Sequence, residues 1–157
     1  MISLDYQNAL NKTSDCFVPM EKDILTWLKI ITTVLKEKKA VELTVRIVEN
    51  EEIQQLNADY RQKNRPTNVL SFPFEKPPGA SLEGLFDYLG DIIICAEVVN
   101  NEAAQQNKSL DAHWRHMLVH GCLHLYGYDH IDEEKADEME SLEILILNKM
   151  GITSPYE

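Results

Sequence analysis

Hydrophobic and polar residues alternate from the first turn of the chain, with Ile2, Leu4 and Tyr6 set against polar neighbours. A period of two predicts a short strand over residues 1–7. After a loop with Pro19, the residues Ile24, Leu28, Ile31 and Leu35 recur at the spacing of one helical face, which predicts an amphipathic helix. Val41, Leu43, Val45 and Ile47 alternate with Glu42, Thr44 and Arg46, the pattern of a half-exposed strand. Asn50 stands where it can cap a helix carrying Ile53, Leu56 and Tyr60. Thr67 to Phe74 reads as a strand, and Pro73, which cannot donate to a ladder, assigns it to a sheet edge or ends it early. Residues 75–88 include Pro77-Pro78-Gly79 and have no period, so a functional or mobile loop is expected there. The apolar run Ile92 to Cys95 suits a buried strand. Helices are predicted at about 97–107 and 110–126, and a last one near 132–149. That last helix would bury Ala136, Met139, Leu142, Ile146 and Met150 and solvate its acidic face. The succession predicts an α+β fold, a small mixed sheet covered by helices, in one domain over residues 1–157.

Composition narrows the class without naming an activity. Hydrophobic residues make up 44% and charged residues 26%, the balance of a soluble globular protein. No apolar run is long enough to span a membrane. The N-terminus lacks the basic and apolar regions of a signal peptide. Cys16, Cys95 and Cys122 form no paired framework, which fits a reducing cytosol and predicts a cytoplasmic protein. The net charge of −11 argues against a general nucleic-acid binder. Charge is spread unevenly, however. Asp132 to Glu143 holds seven acidic residues and one basic, whereas Arg61, Lys63 and Arg65 cluster without an acid among them. A local basic site therefore remains open.

The strongest chemical signal is His120-Gly-Cys-Leu-His124-Leu-Tyr-Gly127-Tyr-Asp-His130. On a helix His120 and His124 share one face. Gly127 can take the left-handed conformation that ends the helix, so that the chain turns back and brings His130 to the same point. Three neutral imidazoles converging on one point are a usual ligand set for one Zn²⁺ with an open fourth position, on what amounts to a zincin-like histidine helix. Cys122 points away from these ligands and reads as packing. His113 and His116 lie on the same stripe, where His116 and His120 could pair, but no glycine turn supplies that pair with a third ligand. They could stand behind the ligands or face substrate, but the surface is the expected place for both.

With these histidines and the upstream segments in view, the chain closely resembles the bacterial YbeY family of metal-dependent endoribonucleases. The resemblance rests on Tyr60-Arg61-x-Lys63-x-x-Pro66-Thr67-Asn68-Val69-Leu70-Ser71-Phe72-Pro73-Phe74, on Leu89-Gly90-Asp91-Ile92, and on His116-Met-x-Val-His120-Gly-x-Leu-His124-Leu-x-Gly127-Tyr-Asp-His130. Glu138-Met139-Glu140 also fits, and the first forty residues contribute little. The resemblance implies cleavage of single-stranded RNA, action on small-subunit (16S) ribosomal RNA including its 3′-end maturation, and ribosome quality control. It implies zinc held by His120, His124 and His130, and it makes Arg61 the functionally required arginine.

Read alone, Arg61-x-Lys63-x-Arg65 is a solvated helix end. With the resemblance, zinc and Arg61 are expected to clamp the scissile phosphate, whose charge builds on its non-bridging oxygens. Lys63 and Arg65 are expected to hold neighbouring phosphates. The general base is left open. Asp129, beside the third ligand, could orient a histidine; Asp91 could cap a strand or reach the site; Ser71 could bind substrate or simply pack. Met139 reads as core. Two other classes stay in view. A metallopeptidase shares the histidine frame, but the glutamate that serves as base in metzincins is Gly121 here, a glycine that would leave room beside the metal. A non-catalytic ribosome assembly factor would use zinc only to stabilise its fold. So acidic a chain is expected to need protein partners on the ribosome to reach RNA.

Overall fold

The computed structural model describes residues 1–75 and 87–152. Its elements run β1 (Ile2–Asn8), α1 (Glu21–Val34), β2 (Val41–Val48), α2 (Asn50–Arg61), β3 (Val69–Pro73), β4 (Asp87–Cys95), α3 (Ala96–Gln105), α4 (Leu110–Leu125) and α5 (Glu133–Lys149). The four strands form one sheet in the order β1-β2-β4-β3. β1, β2 and β4 are parallel, and β3 runs antiparallel to β4. The fold is α+β with a mixed sheet, and Pro73 lies at the edge, where its missing N–H costs no ladder bond. Most of the expected loop at 75–88, residues 76–86, lies outside the described residues, and β4 already begins at Asp87.

One face of the sheet carries the main core. Val41, Leu43, Val45 and Ile47 of β2 and Ile92 and Ile94 of β4 pack beneath Ile24, Leu28 and Ile31 of α1 and Leu118, Val119 and Leu123 of α4. The other face is covered by α2, where Ile53 joins Val48, Leu70, Ile93 and Cys95. β2 is therefore less exposed than its alternation predicts, because its second face is partly covered, with Thr44 buried and Glu42 and Arg46 half-buried. Two of its polar side chains find partners there. Thr44 is 7% exposed, with its hydroxyl 2.7 Å from that of Tyr88. Arg46 donates twice to Glu52, at 2.6 and 2.9 Å, the bidentate geometry of a guanidinium on a carboxylate.

Asn50 does not cap α2. Glu49 occupies that position without a side-chain cap, and Asn50, already helical, donates to Glu97 at 2.8 Å and lies 3.0 Å from the Cys95 sulfur. Ser109 and Asp132 do cap α4 and α5, accepting from the backbone N–H of Ala112 and Lys135. Gly90 sits at φ +138°, where a Cβ would come within 2.3 Å of the Phe72 carbonyl oxygen. It marks an irregularity in the β2–β4 register, which skips Leu89, and only glycine allows so close a backbone approach. No helix among the described residues is long and apolar enough to cross a membrane.

Candidate active site

α4 is buried along nine of its sixteen residues, including Trp114, Leu118 and Leu123, and this fixes the two histidines on its remaining face. Its C-terminus closes as the sequence predicts. Gly127 takes φ +95°, its N–H donates to the His124 carbonyl at 3.0 Å, and the Tyr128 N–H donates to Leu123 at 3.1 Å. This double bond pattern satisfies the last helical carbonyls and reverses the chain. His130 is thereby carried back, and the candidate ligand nitrogens of His120, His124 and His130 all lie within 4.8 Å of one another.

The donor set fits a divalent cation. The Nε2 atoms of His120 and His124 are 3.1 Å apart, close to the ~3.3 Å separating tetrahedral ligands held ~2.0–2.1 Å from zinc. Nδ1 of His120 lies 2.6 Å from a Glu143 oxygen. A carboxylate only accepts, so the proton belongs on Nδ1 and the lone pair on Nε2 faces the other histidines. Burial pushes the His124 imidazole below its ordinary value, and neighbouring His120 pushes it further; the neutral form is the one that ligates. Cys122 is fully buried in the core, and that burial pushes its thiol up to about 12. It is packing and not a ligand.

The cationic residues come from the opposite side of the edge strand. α2 ends at Arg61, and Gln62 takes the left-handed conformation at φ 58°. Asn57, 2% exposed, holds the turn that follows. Its carbonyl accepts from the Lys63 N–H at 3.2 Å, and its side-chain amide donates to the Arg65 carbonyl at 2.9 Å. Arg61, Lys63 and Arg65, all exposed, line one cavity of about 140 Å³ with Thr67, Ser71, His120 and His124. No acidic side chain lines it. Residues some sixty apart in sequence thus share a pocket.

Several expectations need correction. His113 is not at the surface: it is 2% exposed, with Nε2 3.0 Å from Glu102. His116 also turns inward, to within 3.3 Å of Glu143. Gly121 does not open space beside the histidines. A Cβ there would meet Ile92 at 2.8 Å, Ser71 at 3.2 Å and Val69 at 3.4 Å, so the glycine lets α4 lie close on the sheet. Ser71 completes that contact by donating to the Gly121 carbonyl at 3.0 Å. Asp129 accepts from the backbone N–H of His130 at 2.7 Å. Asp91 alternates with Ile92 along β4 and so faces away from α4; there it accepts from the Tyr88 hydroxyl. Burial, with that bond second, pushes Tyr88 up to about 12. Met139 is core, as expected.

Glu143 is the residue that sequence reasoning passed over, counting it with the solvated acidic face of the last helix. It is fully buried. A signal was available: Glu143 falls on the stripe of Met139, Leu142, Ile146 and Leu147, and a carboxylate on an apolar stripe needs a partner.

A mixed-sheet α+β protein with three converging histidines at a helix end is the class that fold and site define. The comparisons make it specific. The sequence model of the family described as endoribonuclease YbeY matches residues 7–151. An endoribonuclease YbeY from Hydrogenovibrio crunogenus (strain DSM 25203 / XCL-2) is 49% identical, over 100% of this chain and 99% of that protein. A solution structure from Thermotoga maritima shares the fold at TM-score 0.55 and 24% identity, covering 100% of this chain and 99% of the other. The chain belongs to the YbeY family of RNA-hydrolysing endonucleases.

Proposed function

We propose that this protein is a cytoplasmic, single-strand-specific, metal-dependent endoribonuclease acting in 3′-end maturation of 16S ribosomal RNA and in ribosome quality control. One observation carries the reading: a cationic turn and two metal-competent histidines line the same small cavity, with no carboxylate among its walls. At about 140 Å³ the cavity is of a size to take one phosphate group. One Zn²⁺ per chain would be held by His120, His124 and His130, and would supply a Lewis acid for a phosphate oxygen and lower the pKa of water. Arg61 binds the scissile phosphate through its planar fork of donors, and stabilises charge as it develops there. Lys63 and Arg65 hold flanking phosphates. The whole chain, residues 1–157, acts as one domain. Because the net charge is −11, protein partners on the small ribosomal subunit deliver it to RNA, whose backbone the rest of the surface repels.

The peptidase reading loses ground at Gly121. Any side chain in that position would have its Cβ 2.8 Å from Ile92 and 3.2 Å from Ser71, so a glutamate there would have to push α4 off the sheet.

The test is cleavage of single-stranded ribosomal RNA by highly purified protein beside Arg61→Glu and His124→Ala, with zinc content measured for all three. Activity in the unmodified protein alone, with zinc retained in Arg61→Glu, is the expected result. Equal residual activity in all three would identify a contaminant and favour the assembly-factor role. Casein cleavage abolished by His124→Ala would favour the peptidase.

A further inference from the structure

The carboxylate of Glu143 is buried against α4. Its side chain is 0% exposed, and its two oxygens take two different imidazoles. Oε1 lies 2.6 Å from His120 Nδ1, and Oε2 lies 3.3 Å from His116 Nε2. It reaches them from α5, across the helix interface, and is not among the residues that line the cavity of His120, His124 and Arg61. A buried carboxylate is costly unless charged or polar partners satisfy it. Here the partners are the first candidate metal ligand and the histidine one turn before it.

We propose that Glu143 is a positioning residue for the metal centre. It holds the His120 ring in the Nδ1–H tautomer, so that Nε2 presents its lone pair to the metal, while His116 braces the carboxylate from its second oxygen. The inference rests on the zinc-site reading above. α4 contains its own control. His113 makes a similar contact with Glu102 at 3.0 Å, but Glu102 is bound to Asn68 at the start of β3. That pair joins α3, α4 and β3 without touching the three-histidine group.

The experiment is zinc affinity by competition with a chromophoric chelator, on the full chain, for the unmodified protein, Glu143→Ala, Glu143→Gln and Glu102→Gln. Loss of a carboxylate behind a ligating histidine typically weakens metal binding by roughly 10- to 100-fold. Glu143→Ala should show that loss. Glu143→Gln should lose less, because its amide oxygen still accepts from Nδ1–H, and Glu102→Gln should bind zinc as the unmodified protein does. Nitrogen-15 NMR of the zinc-loaded unmodified protein should show His120 protonated at Nδ1 and ligated through Nε2. That measurement decides the matter even where a Glu143 variant does not fold. Unchanged affinity in folded Glu143 variants, an equal loss in Glu102→Gln, or ligation of His120 through Nδ1 would each overturn the proposal. No zinc uptake by the unmodified protein would instead sink the metal reading on which it rests.

Discussion

His120 and His124 stand on a helix with nine of its sixteen residues buried, whereas Arg61 closes a helix of twelve with only Ile53 and Asn57 buried. The histidine wall is fixed by core packing, by a carboxylate behind one ring and by a glycine turn beyond the other. The cationic wall is exposed and hangs from Asn57. Such a division suits the proposed chemistry. Metal ligands must be placed to within tenths of an ångström, and long cationic side chains that follow a flexible polymer need reach more than rigidity. It also means that damage to one wall should leave the other standing.

The sharpest break of that contrast is Arg61→Glu, expected to lower kcat for RNA cleavage by about 10²–10³-fold, the usual cost of one electrostatic donor, at unchanged zinc content and melting temperature. A fall in zinc content would show the two walls to be coupled. Gly121→Ala attacks the histidine wall from behind. Overpacking against Ile92 costs ~1–3 kcal/mol, and the helix-propensity gain of ~0.8–1.0 kcal/mol returns part of it. A net loss of about 1 kcal/mol is expected in denaturant unfolding, and a stabilised variant would contradict the close packing. Lys63→Ala with Arg65→Ala should raise KM while sparing kcat. It should also flatten the dependence of log K on log salt by ~0.7 for each lost phosphate contact, as read in binding titrations with single-stranded RNA.

The smallest effect is in acid. Backbone hydrogen bonding at Lys39, together with the Tyr126 hydroxyl, holds Glu37 below its ordinary 4.5. Tyr126, at the end of α4, donates to it at 2.9 Å. A folded-state value below the unfolded one gives stability that is present above pH 4.5 and lost as pH falls through the folded value. Glu37→Gln should therefore flatten the decline of melting temperature below that pH, and an identical decline in both proteins would remove this tie from the account.

Periodicity and a few special residues determined much of this molecule directly. Ile24 to Leu35 marked α1, Pro73 marked an edge strand, and Gly127 between His124 and His130 marked the reversal that gathers three imidazoles. Each is a local matter, settled by backbone stereochemistry or by spacing on one helix. Which polar residues would be buried was not local. Thr44 looks solvent-facing until Tyr88 of the neighbouring strand closes on it, and Arg46 until Glu52 of α2 pairs with it. His113 and Glu143 look like surface charge until α3 and α5 dock on α4. Gly121 resembles an opening beside the metal until Ile92 is seen to fill it. Only the packing of elements distant in sequence assigned these partners, because desolvation and hydrogen bonding depend on what lies opposite a side chain, and the sequence records only what lies beside it.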